Sequence, residues 1–257
     1  MIVKRYINGV QIAGWVSGEK WRQDLKHLVF IHGSGGDHTN WVCQYSALKT
    51  DFNILAVELP GHGASAGKGE RSVGGYAEWM RQIIAGFEIE KPILVGHSLG
   101  AAICLTMAIH HGDLPAGVVT VGGGVTMWVN PAILEGLLKD PGPIVEMAAK
   151  LSLAKQNRDR FSEVLRAGFA KADPLVMQGD FSACNDLNLT EDLKKIGIPV
   201  LVVCGTEDKM TPPANSQYLK DHIAGARMAL IENAGHFVMM ENPEVFNRVL
   251  REFAQSI

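Results

Sequence analysis

The passage that most constrains the fold is Pro92-Ile93-Leu94-Val95-Gly96-His97-Ser98-Leu99-Gly100, which continues without a break through the apolar stretch Leu99–Ile109. A short continuous apolar run reads as a buried strand, and a longer one, apolar on all sides, reads as a buried helix. Only Gly-His-Ser-Leu-Gly stands between the two. That is the G-x-S-x-G arrangement, in which a serine sits on a sharp strand-to-helix turn. Chemistry explains the residue types. A serine that attacks carbonyls must stand clear of the backbone, flanking glycines keep other side chains away, and the N-terminus of the new helix favours developing negative charge.

Apolar runs recur at Leu28–Ile31, Asn53–Val57, Val118–Val121, Val200–Val203 and Met228–Ile231. Continuous Val/Ile/Leu runs mark strands covered on both faces, hence a parallel sheet between helices. Helical patterns alternate with them at Val73–Phe87, Leu99–Ile109, Pro213–His222 and Pro243–Ala254. This alternation predicts an α/β fold with a mostly parallel, doubly wound sheet. Val3–Gly18 reads as a β-hairpin turning at Asn8-Gly9. Between Val121 and Pro199 no strand pattern occurs; Pro131–Lys139, Pro143–Leu153 and Asn157–Ala172 carry helical periodicity instead. A loop that long without structure of its own is uncommon. Residues 125–188 are therefore read as a helical cap inserted into a core formed by 1–124 and 189–257.

The net charge of −3 provides no basic stripe, so nucleic acid and anionic membrane are not expected partners. Two stretches without Asp, Glu, Lys or Arg, Pro92–Gly112 and Leu114–Leu134, are long enough to imitate membrane spans. Their glycines, histidines and proline fit buried strands with turns better. The N-terminus lacks an apolar signal region, which predicts a cytoplasmic protein. Cys43, Cys104, Cys184 and Cys204 form no C-x-x-C pair and read as free structural thiols.

Three further signals surround Ser98. The strand Val200–Val203 leads into Cys204-Gly205-Thr206-Glu207-Asp208, and the next strand leads into Asn233-Ala234-Gly235-His236. Ser98, Asp208 and His236 thus each follow the C-terminal end of a strand, where open α/β sheets place their sites. Nucleophile, acid and base come in the order expected on such a fold. His236 is the expected proton carrier, and Asp208 the group that orients it. The third signal, His32-Gly33-Ser34-Gly35-Gly36, follows the strand Leu28–Ile31 and predicts an oxyanion hole built from the Ser34 and Leu99 backbone N–H groups. Competing readings are a structural turn for Ser98, a core role for His236, Glu207 in place of Asp208, and metal binding by His32, His62 and His97; Asp180 and Cys184 read as structural. No metal site or cofactor is expected.

With His32-Gly33, Glu58-Leu59-Pro60-Gly61-His62-Gly63-Ala64-Ser65, Gly96–Gly100, Gly205–Asp208, Gly235-His236 and Glu241-Asn242-Pro243-Glu244, the chain resembles the α/β-hydrolase superfamily, close to its general serine esterase/lipase-like branch. The likeness spans the core and not the cap. It implies a Ser98–Asp208–His236 triad and an acyl-serine intermediate. Glu58 stands where relatives usually carry Asp, at a position that is generally structural. The family's alternative position for the acid holds Gly122-Gly123-Gly124, which leaves Asp208. Gly33, His97, Trp128, Met210 and Phe237 are candidate substrate-binding residues. An apolar pocket without clustered Arg or Lys predicts a small hydrophobic ester, with thioester or lactone as close variants. The same machinery is compatible with C–C hydrolysis of a diketone, with perhydrolysis, or with a ligand-binding receptor or partner module. Oligomeric state is not encoded in these motifs.

Overall fold

The computed structural model describes residues 1–257. The chain runs β1 (Ile2–Ile7), β2 (Val10–Val16), β3 (His27–Ile31), α1 (Val42–Leu48), β4 (Asn53–Val57), α2 (Val73–Gly86), β5 (Ile93–His97), α3 (Leu99–His110) and β6 (Gly117–Val121). Four helices follow, α4 (Pro131–Lys139), α5 (Pro141–Leu151), α6 (Arg158–Phe169) and α7 (Pro174–Asn185). The chain then closes with β7 (Val200–Gly205), α8 (Pro213–His222), β8 (Arg227–Ile231), α9 (Val238–Glu241) and α10 (Pro243–Ser256). One eight-stranded sheet has the order β1-β2-β4-β3-β5-β6-β7-β8. From β4 to β8 every pairing is parallel, whereas the β1–β2 hairpin joins β4 antiparallel. The hairpin turns where Asn8 and Gly9 both take positive φ, 49° and 79°, as a two-residue turn matched to strand twist requires.

Strand order reverses at β3. β4 lies on one side of it and β5 on the other, and ligands bind at such switch points. In the β3–β5 register Ile31 faces Gly96, so the loops beginning at His32 and Ser98 leave the sheet side by side. All five residues of β4, of β5 and of β6 are buried. So is α3 from Leu99 through Ala108, as a helix apolar on every side must be.

Three helices have no counterpart among the sequence patterns, α1, α7 and the single turn α9. The start of α7 carries a signal, since Pro174 opens it and the Asp173 side chain accepts the Leu175 N–H at 2.8 Å. Helix α5 starts at Pro141 rather than Pro143, and α6 ends at Phe169 rather than Ala172.

The α4–α7 segment is pinned to the sheet's C-terminal edge at two places. On α7, buried Asp180 accepts from His62 Nε2 at 2.9 Å, from the Gly35 N–H at 3.0 Å and from the Tyr76 hydroxyl at 2.5 Å. Beyond α5, the Ser152 carbonyl accepts the His236 N–H at 2.8 Å, and buried Glu241 accepts from Ala154 N–H, Gly235 N–H and the Asn157 side chain. Burial works against a charge on His62, but the Asp180 carboxylate and its hydrogen bond prevail and raise the His62 pKa. Asp180→Ala deprives His62, the Gly35 N–H and the Tyr76 hydroxyl of their shared buried acceptor, a loss expected to cost about 3–5 kcal/mol, read by urea unfolding. A raised folded pKa means that the stabilisation from His62 is complete below the usual 6.5 and is lost as pH rises through the folded value. Unfolding free energy should therefore fall across that window in the native chain, and the His62-dependent part of the slope should vanish in His62→Gln.

Candidate active site

Ser98 sits between β5 and α3 with φ 54° and ψ −114°, in the half of conformational space that side chains disfavour. Its own N–H is tied to the Val121 carbonyl at 2.9 Å. The turn is so tight that a methyl on Gly96 would lie 2.0 Å from the Gly100 oxygen, and one on Gly100 would lie 2.3 Å from the Ile31 oxygen. Only glycine fits at either position. Gly33 brings the β3 loop equally close: a methyl there would stand 2.9 Å from His97 Nδ1 and 3.0 Å from Ser98 Cβ. The Ser34 and Leu99 N–H groups have no acceptor within the chain. Leu99 is the first residue of α3, and the opening N–H groups of a helix have no intrahelical partner.

Asp208 and His236 are both buried. His236 Nδ1–H donates to Asp208 Oδ2 at 2.8 Å. The same oxygen receives the Thr211 hydroxyl at 2.9 Å, while Oδ1 receives the Met210 and Thr211 N–H groups, both at 2.9 Å. Burial alone would raise the Asp208 pKa, but His236 and the Thr211 donors outweigh it, so its pKa falls and the carboxylate stays ionised. Glu207 points elsewhere, accepting from Gln156 Nε2 at 2.6 Å. Burial first, and repulsion from His236 second, push the His97 pKa well down. Neutral His97 then donates from Nε2 to the His236 carbonyl at 3.0 Å, with its ring 4.6 Å from those of His236 and Phe237.

Ser98 and His236 face one cavity of about 20 Å³, together with Gly33, Ser34, His97, Met210 and Phe237. Asn40, Ala148, Ser152, Phe169 and Phe181 complete its wall. Trp128 does not belong to it. It is 74% exposed, because the extended segment it occupies alternates and buries Met127 and Val129 instead. The pocket reading of Trp128 is therefore corrected. No signal in the sequence singles out Asn40, Ala148 or Ser152, and Phe169 and Phe181 carry none beyond their apolar size.

The other histidines are not gathered into a metal-ligating cluster. His32 accepts the Leu59 N–H at 3.1 Å, and burial with repulsion from His62 brings its pKa down to about 4. Cys184 lies 4.0 Å from the Ser34 hydroxyl, and burial first, then the Asp180 charge, push its thiol up to about 12, so it is not a nucleophile. All four cysteines are free. No helix is long and apolar enough to cross a membrane.

The family described as "Alpha/beta hydrolase family" matches residues 28–249. Protein ABHD8 of Mus musculus is 28% identical over 247 residues, covering 88% of this chain and 54% of its own length. The chain thus spans about half the length of the curated relatives it matches. Among solved structures, the enol-lactonase from Burkholderia xenovorans LB400 superposes with a TM-score of 0.92 at 20% identity, covering 98% of this chain and all of its own. A thermophilic esterase superposes with a TM-score of 0.85 at 31% identity, covering 100% of this chain and 98% of its own.

Proposed function

Since the chain belongs to the α/β-hydrolase family, we propose that it is a serine hydrolase of small, hydrophobic carboxylic esters, with Ser98 as nucleophile, His236 as general base and Asp208 as orienting acid. The observation that carries this reading is the buried Asp208–His236 pair, whose His236 lines the same cavity as strained Ser98. Likeness to an esterase at 31% identity supports the ester as the bond attacked. Ser98 Oγ attacks the carbonyl carbon as its proton passes to His236 Nε2. Asp208 stabilises the resulting imidazolium, and the free N–H groups of Ser34 and Leu99 receive the oxyanion. Collapse expels the alcohol, protonated by His236, and leaves an acyl-Ser98 that water resolves. The segment 125–188 acts as a cap over a core of 1–124 and 189–257, with Gly33, His97, Met210 and Phe237 bounding the substrate.

Hydrolysis of p-nitrophenyl esters from acetate to decanoate, with fluorophosphonate labelling mapped to Ser98, tests this reading. Turnover together with labelling at Ser98 is the expected result. Labelling without ester turnover would favour C–C hydrolysis of a diketone, and neither signal would favour a ligand-binding module. A second test addresses the oxyanion loop. Gly33→Ala forces the β3 loop away from the elbow, and a displacement of about 1 Å at a reacting centre costs roughly 100-fold. The expected loss is of that size in kcat/KM, with an unchanged thermal midpoint; unaltered turnover would remove the loop from the mechanism.

A further inference from the structure

Besides the cavity at Ser98, two larger cavities adjoin the α4–α7 segment, and Phe169 belongs to the wall of all three. The cavity at Ser98 and His236, at about 20 Å³, has room for a water molecule and not for the acyl group of an ester. Next to it lies a cleft of about 330 Å³, within the size range of pockets that bind small molecules. The two share Asn40 as well as Phe169. Val42, Cys43, Phe161, Val164, Leu165 and Met240 give the cleft an apolar wall without Lys or Arg; Asp37 and Thr39, hydrogen-bonded to each other, also line it, and Gly35 and Gly36, next to Ser34, bring it to the predicted oxyanion loop. The third cavity, about 230 Å³, shares only Phe169 with the catalytic one and contains Arg166 and Glu146. It suits an apolar group less well.

We propose that Phe169 is the specificity-determining partition of this site, separating Ser98 from an apolar cleft that receives the extended apolar arm of the substrate. The inference rests on the serine-hydrolase reading for the bond cleaved, but the partition itself is independent of it. Phe169 closes the end of α6, which buries only Leu165. Its ring meets Phe237, beside the catalytic imidazole, at 6.1 Å and nearly edge-on. The fixed points of the segment lie on either side of this helix, at Ser152–Asn157 and at Asp180. Between those points α6 makes no hydrogen bond to the sheet or its loops, and rotation of the single Phe169 ring would join the two spaces. A chain of several carbons then lies along Val42, Leu165 and Met240, with its carbonyl at Ser98.

The test compares kcat/KM for a p-nitrophenyl acyl series and for an alkyl acetate series, which distinguish an acyl arm from an alcohol arm. Phe169→Ala should raise the ratio of the eight-carbon to the two-carbon ester at least about tenfold in one series, since pocket methylenes discriminate on that scale. Phe169→Trp should lower that ratio, and adding Val164→Trp to Phe169→Ala should reverse the gain by refilling the cleft. Unchanged ratios in all three variants, with turnover that depends on Ser98, would overturn the partition and leave the esterase reading intact. If the native chain hydrolyses neither series, the partition is read without hydrolysis. In Ser98→Cys, alkylation at position 98 by iodoacetamide and by N-phenylmaleimide is followed by peptide mass, with and without Phe169→Ala. A selective gain of tenfold or more for the bulky reagent supports the partition. Equal relative rates refute it.

Discussion

Ser98→Ala is expected to lower kcat for p-nitrophenyl acetate by roughly 10⁶-fold, the scale on which removal of a triad nucleophile acts. Residual catalysis over water would come from the free Ser34 and Leu99 N–H groups and from binding. The fold should survive, because no hydrogen bond of the chain depends on the Ser98 hydroxyl, and the unfolding free energy should move by no more than about 0.5 kcal/mol. Ser98→Gly separates strain from chemistry. It abolishes turnover equally, yet it relieves a non-glycine φ of 54°, a conformation that costs of order 1–3 kcal/mol. A glycine variant less stable than the alanine variant would show that the elbow holds no strain. A decrease of less than 100-fold in Ser98→Ala would remove the serine from the chemistry. The two readouts, turnover and denaturant midpoint, are independent.

How far the molecule could be read from its sequence depended on how local each signal was. The parallel strands, the elbow and the Asn8-Gly9 turn each rest on a few adjacent residues, so they were legible. Legible too was the placing of Ser98, Asp208 and His236 beyond strand ends, since each follows its apolar run by only a few residues. The contacts of the α4–α7 segment are of another kind. Asp180 meets His62 and Gly35, and the Ser152 carbonyl meets the His236 N–H, only because distant helices fold back over the sheet edge. The sequence shows that Phe169 is apolar and does not show that it lines the cavity at Ser98 and two others. Trp128 illustrates the opposite error. Size and position near the core suggested a pocket residue, but strand-like alternation with Met127 and Val129 turns it outwards. The Asp173-Pro174 start of α7 could have been read, and α1 carries no comparable side-chain cap of its own.

Asp208→Asn is expected to lower kcat/KM about 10⁴-fold with little structural change, and the hydrogen-bond pattern says why. Asp208 Oδ1 accepts two backbone N–H groups, from Met210 and Thr211. An asparagine must leave its carbonyl oxygen there, because an NH₂ group would face two donors. Its NH₂ group then occupies the place of Oδ2 and points at His236 Nδ1, now 2.8 Å away as a donor. The imidazole can satisfy that contact only by accepting at Nδ1, which moves its proton to Nε2. In that tautomer it has no lone pair for the Ser98 proton, so the base is lost although every heavy atom stays in place. Nuclear magnetic resonance of the ring nitrogens should show Nε2 protonated in the variant and Nδ1 protonated in the native chain. Glu207→Gln, whose partner is Gln156, should change kcat/KM by no more than about twofold, in line with surface substitutions of about 0.5 kcal/mol. The reverse pattern, a silent Asp208→Asn and a damaging Glu207→Gln, would transfer the acid to Glu207. A loss in Asp208→Asn without a change of tautomer would leave Asp208 as the acid but make its role the stabilisation of the imidazolium.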